Sequence, residues 1–118
     1  MTIENQSIYI PEKTTRVFEL IFRKNGSPVD ITGWTIFFTA KTNMSNLDEE
    51  AVISKTVTEH SDALQGKTLI SLSETDTAIT PKSYYYDIKY NDNDSPSNIG
   101  ILFNGNLLIE KAVTTRNE

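Results

Sequence analysis

Short segments in which apolar and polar residues alternate one by one recur along this chain, and that period of two constrains its fold more than any other feature. Between Thr14 and Lys24, Phe18, Leu20 and Phe22 hold the even positions, while Glu19 and Arg23 fall on the odd ones with Val17 and Ile21 mixed in. Trp34, Ile36, Phe38 and Ala40 repeat the pattern, opposed by Thr35, Phe37 and Thr39. Ala51 to Glu59, Lys67 to Ser73, and Ser83 to Tyr90 alternate in the same way, the last with Tyr84, Tyr86, Ile88 and Tyr90 against Tyr85, Asp87 and Lys89. Successive side chains of an extended strand point to opposite faces, so each segment has one face for a core and one for water. A helix would need apolar residues three and four apart. Thr, Ile and Val supply 33 of the 118 residues and Ala only five, a composition that fits pleated surfaces and costs side-chain freedom in helices.

Turn chemistry separates the segments. Asn25-Gly26-Ser27-Pro28 reads as a tight turn, Thr42 to Glu50 as a polar loop, His60 to Gly66 as a turn with one helical turn in it, and Asn91 to Asn98 as a connecting loop. Ser73-Glu74-Thr75-Asp76 has the chemistry of a helix start, limited to one or two turns by Pro81. Ile99 to Val113 is the last extended stretch, with Ile99, Ile101, Phe103, Leu107 and Ile109 on odd positions. Asn104-Gly105-Asn106 interrupts it, and the continued parity favours a bulge at Gly105 over a hairpin. Six or seven strands result, with Gln6 to Ile10 as a further candidate. Even spacing of short strands between polar turns predicts an all-β antiparallel sandwich or barrel. The length suits one domain, divided into an N-terminal arm or edge strand (1–13) and a β-sandwich domain (14–118).

The residue inventory narrows the chemistry. There is no Cys and a single His, so a disulfide framework, a thiol nucleophile, Cys-ligated zinc and multi-His metal sites are excluded. A net charge of −5 argues against nucleic acid, whose binding rests on neutralised phosphates. No apolar run approaches the roughly 18 residues of a membrane-spanning helix, so no membrane insertion is expected. The first residues lack the basic and apolar regions of a secretory signal.

The stretch Phe18-Glu19-Leu20-Ile21-Phe22-Arg23-Lys24-Asn25-Gly26-Ser27-Pro28-Val29-Asp30-Ile31-Thr32-Gly33-Trp34-Thr35-Ile36 resembles the opening of the N-terminal domain of upper baseplate proteins from tailed phages of Gram-positive hosts. That family shows an alternating strand, a Gly turn with Pro, a Val-Asp-Leu-Thr-Gly segment and a second alternating strand. Tyr84-Tyr85-Tyr86-Asp87-Ile88-Lys89-Tyr90 and the return over Gly105 to Ile109 resemble its closing hairpin, so the likeness covers about residues 14–113. It implies an immunoglobulin-like antiparallel β-sandwich of about seven strands and a structural role in a phage tail or baseplate. The protein would be made in the host cytoplasm and carried in the virion near the host-adsorption device. Its partners would be other tail and baseplate proteins and copies of itself. Longer members continue past the position of Glu118 into linker and distal segments, so receptor binding is not carried over with the likeness. No catalytic motif belongs to it.

Among candidate sites, His60-Ser61-Asp62 holds the residue types of a catalytic triad, but three consecutive side chains lack separate supports and read as a turn. Asn91-Asp92-Asn93-Asp94 offers alternate oxygens, as calcium loops do, yet Pro96 and Phe103 stand where Gly and Glu are required. Asp48-Glu49-Glu50 reads as a solvated acidic loop. No enzyme activity, cofactor or metal is expected. Trp34, Tyr84, Tyr86 and Tyr90 are assigned to the core by parity. Tyr85 and Phe37, on the opposite faces of their strands, are candidates for contact with another subunit. Ile8, Tyr9 and Ile10 are candidates in an arm that docks on a partner. The alternative function is a carbohydrate-binding module that recognises host cell-surface polysaccharide, with Tyr85 as a stacking platform beside the acceptors of Asn91 to Asp94.

Overall fold

The structure, a computed structural model, describes residues 4–114; Ile3 of the predicted arm and residues 115–118 lie outside them. Ten strands follow in order: β1 (Glu4–Asn5), β2 (Ile8–Pro11), β3 (Arg16–Ile21), β4 (Arg23–Lys24), β5 (Ser27–Pro28), β6 (Thr35–Lys41), β7 (Ile53–Val57), β8 (Lys67–Leu72), β9 (Ser83–Asn91) and β10 (Ile99–Glu110). The only helical pieces among the described residues are single 3₁₀ turns at Asp48–Glu50 and Ala63–Gln65. β10, β9, β6 and β7 form one antiparallel sheet, and β1 and β2 both add in parallel to the outer edge of β10. β3 and β8 form a second, two-stranded sheet across the core, and β4 and β5 close a small hairpin through Asn25-Gly26. With β3, β6, β7, β8, β9 and β10 standing as strands B, C, C′, E, F and G, this is the immunoglobulin-like sandwich.

The alternation puts the even residues of β3, β6, β8 and β9 between the sheets. Leu20, Phe22, Ile36, Phe38, Ile70, Leu72, Tyr86 and Ile88 are all buried there. Immunoglobulin domains commonly tie strands B and F with a disulfide packed on a strand-C tryptophan. Here aromatic rings span the same gap. Phe38 is fully buried and stacks on Phe18 of β3 at 6.2 Å and on Tyr86 of β9 at 5.7 Å. A second cluster closes the far end of the sandwich, with Trp34 stacked on Tyr90 at 5.1 Å and edge-on to Phe22 at 5.5 Å. Tyr84, two residues before Tyr86, donates its hydroxyl to the Thr80 carbonyl at 2.6 Å, the tyrosine corner of this fold.

Three features differ from the sequence reading. β10 runs unbroken past Gly105, and its bulge falls at Leu102, where the register slips between Ile101 and Phe103. The odd positions therefore change face: Phe103, Leu107 and Ile109 point inward, whereas Ile99 and Ile101 point out. Gly105 serves another purpose. It has φ +152°, and a Cβ there would stand 2.5 Å from the Gln6 carbonyl oxygen. That close approach lets Gln6 donate its N–H to Asn104 and accept the Tyr86 hydroxyl. Ser73 to Asp76 forms a closed turn instead of a helix. The Asp76 carboxylate accepts from the Ser73 N–H and hydroxyl at 2.7 and 3.0 Å and is held by Lys55 Nζ at 2.7 Å, so it anchors the turn to β7. Ile10, finally, expected in a docking arm, is 1% exposed and packed in the core, while residues 8–11 form an edge strand, the other alternative for the N-terminal segment.

Phe38→Ala removes the middle ring of the cross-sheet stack. It is expected to cost about 3–5 kcal/mol of unfolding free energy in urea titration, a large share of the roughly 5–15 kcal/mol typical of a domain.

Candidate docking faces

The outer face of the large sheet carries the odd residues of β6 and β9 in four transverse rows. Thr35, Asn91 and Ile99 make the first; Phe37 lies opposite Lys89, which lies opposite Ile101, in the second; Thr39, Asp87 and Asn104 make the third row; Lys41, Tyr85 and Asn106 the fourth. The bulge at Leu102 is what turns Ile99 and Ile101 onto this face. Tyr85 is 44% and Ile99 59% exposed, and Phe37 is half-buried among its neighbours. Phe37, Tyr85 and Ile101 share one shallow hollow of about 640 Å³, rimmed by Met44. The two aromatic residues singled out by parity thus share one surface, on adjacent strands. Ile99 and Ile101 escaped the sequence reading because a bulge leaves no mark in an alternating pattern.

The charges of this face are partly satisfied. Lys41 Nζ binds Asp48 at 2.8 Å and the Asn46 carbonyl at 2.9 Å, folding the polar loop over one end. Asp87 sits in the third row, between Lys89 and Tyr85 on its strand. Burial pushes its carboxyl above the ordinary aspartate range, against the pull of Lys89 and Lys41.

The other candidates lie elsewhere. Ile8 and Tyr9 line a groove of about 560 Å³ between the N-terminal strand and β3, floored by Phe18, Tyr86, Ile88 and Phe103. Tyr9 is 56% exposed. Ile10 points the other way, into the core, and is unavailable to a partner.

The polar clusters that carried chemical suspicion are structural. The His60 ring bridges two elements: Nε2 donates to the Trp34 carbonyl and Nδ1 accepts the Thr68 hydroxyl, each at 2.9 Å. It is therefore a brace rather than part of a solvated turn. Asp92 uses both oxygens inside its own loop, accepting from the N–H groups of Asp94 and Asn98 and from the Asn98 side chain at 2.8–3.0 Å. The Asn98 bonds hold its carboxyl below the usual range. Asn93 donates to the Gly33 carbonyl and to Thr35, tying the same loop to the start of β6. No group of three metal-ligating side chains occurs among the described residues, and no helix there is long and apolar enough to cross a membrane.

Comparison with solved structures shows the fold. The chain is similar to the N-terminal domain of phage TP901-1 ORF48, with a TM-score of 0.56 and 12% identity over 94% of this chain and 100% of that one. Weaker likenesses join it to structures of voltage-gated sodium channel β subunits. One comes from a study of multimeric cell-adhesive interactions (TM-score 0.42, 10% identity, 93% of each chain). The other is the β4 extracellular domain, described as a parallel homodimer (0.39, 12%, 93% and 94%). No family model and no curated sequence matches the chain.

Because the folded state holds Asp87 with a raised pKa, its contribution is present below the unfolded value near 3.8. It is lost as pH rises through the higher folded value. Asp87→Asn is expected to raise the thermal midpoint at pH 7 and to leave it unchanged at pH 3, measured by calorimetry at both pH values.

Proposed function

We propose that this chain is a structural module of a phage tail or baseplate that docks on other virion proteins and on copies of itself near the host-adsorption device, and that it is not an enzyme. The observation that carries this reading is the apolar surface of Phe37, Tyr85, Ile99 and Ile101 across the outer face of the large sheet. Singly exposed apolar residues are ordinary, but four on one sheet face, interspersed with Lys89, Asp87 and Thr39, give the mixed apolar and polar character of a contact surface. The full-length likeness to a phage protein domain supports the phage setting. So does the resemblance of residues 18–36 and 84–90 to baseplate proteins. Rings of such modules convert weak individual contacts into firm attachment through effective concentration.

A second reading, recognition of host polysaccharide, is favoured by one observation. Tyr85, Asp87 and Asn91 open on the same hollow, an aromatic platform beside polar acceptors. Asp92 takes no part, since its oxygens are committed to the loop.

Light scattering across a concentration series separates the two. The assembly reading expects a discrete multimer that Phe37→Asp and Tyr85→Ser each reduce to monomer. A strict monomer at high concentration, with retardation in a polysaccharide gel that Tyr85→Ser abolishes, would overturn it in favour of the saccharide.

A further inference from the structure

Among the described residues the small sheet has two strands, β3 and β8, and its β3 edge is the one that opens on a groove. In immunoglobulin domains of the constant type the sheet opposite CFG holds four strands, with A beside B. Here the N-terminal strands pair along β10 instead, and among the described residues β3 pairs only with β8. The ladder fixes which backbone groups remain over. Phe22 donates its N–H to Gly66 at 2.8 Å, and the register runs through Leu20↔Thr68 and Phe18↔Ile70. The even residues of β3 therefore bond β8, so the N–H and C=O groups of Val17, Glu19 and Ile21 point away from it. Natural sandwiches blunt or cover such an edge. This one opens on the groove floored by Phe18, Tyr86, Ile88 and Phe103, with Gln6 to Tyr9 as its far wall.

We propose that the β3 edge and this groove form an acceptor site for a single extended segment of another polypeptide. The segment would be apolar at alternate positions and acidic at the others, and would complete the small sheet by strand addition. Its backbone pairs with Val17, Glu19 and Ile21. Its inward side chains cover the groove floor, and its outward ones lie beside Val17 and Ile21, which are 57% and 39% exposed. Charge selects the acidic partner. Along β3 itself Arg16 and Glu19 balance, but Arg23 and Lys24 follow directly in β4, so the positive surplus lies at the end of this edge beyond Ile21, in a chain of net −5. A second copy at this edge would have to bring its whole sandwich against the Gln6 to Tyr9 wall. This site is separate from the outer face of the large sheet and does not rest on the phage setting.

The test uses the full chain and a soluble capped peptide that alternates valine with glutamate or threonine. Amide exchange of the protein alone is expected to be fast at Val17, Glu19 and Ile21 and slow at Phe18 and Leu20. Adding the peptide should slow the three fast amides at least tenfold. N-methylating the peptide along one edge should abolish that protection, and lysine in place of glutamate should weaken binding severalfold at low salt. The Tyr85→Ser variant should bind the peptide as the parent does, so loss of the outer-face contact and loss of this one are read apart. Slow exchange at the three amides without peptide, peptide protection confined to other strands, equal binding of the N-methylated peptides, or self-association through β3 would each overturn the proposal.

Discussion

Ring-on-ring contact across the core holds this sandwich together. With no cysteine to bridge the sheets, Phe38 is clasped between Phe18 and Tyr86, so a single side chain of β6 joins β3 to β9. Stacked rings contribute about 0.5–1.5 kcal/mol beyond their buried area, and they also fix the spacing of the two sheets. Trp34, Tyr90 and Phe22 repeat the device at the other end. Everything outside is set by that spacing. Residues facing inward are consumed by the stack and its aliphatic neighbours, and those facing outward become the faces that other molecules meet.

The polar groups that remain are spent on holding loops. His60, Asp92, Asn93 and the Ser73–Asp76 pair each join two backbone segments. The Lys55–Asp76 ion pair ties β7 to the turn after β8. Burial alone would push the Asp76 carboxyl up; the Lys55 ammonium and the Ser73 donors more than offset it. These side chains are engaged within the fold itself.

Much of this was legible in the residues. Strict alternation placed β3, β6, β8 and β9 and assigned Tyr84, Tyr86 and Ile88 to the interior, because one buried face forces every second residue inward. The same parity put Phe37 and Tyr85 on the opposite surface. What escaped was whatever depends on distant pairing. The slip at Leu102 reverses the facing of Ile99 and Ile101, and nothing local announces it. Gly105 looked like a kink because its true reason, the Gln6 carbonyl against it, lies about a hundred residues earlier. Ile8, Tyr9 and Ile10 formed one candidate group, yet alternation sends Ile10 to the core and leaves Tyr9 outside. The unpaired side of β3 was invisible for the same reason, since only topology shows which strand a neighbour lacks.

The parallel run of β2 beside β10 has a mechanical side. Ile8 to Pro11 pairs in register with Leu107 to Glu110, and Ala112 donates its N–H to Glu12 at 3.2 Å just beyond. Tension applied between the first and last described strands would pull them lengthwise past each other. The rungs of the ladder would then bear the load together in shear instead of unzipping one after another. Such an edge suits a part that must transmit force without opening.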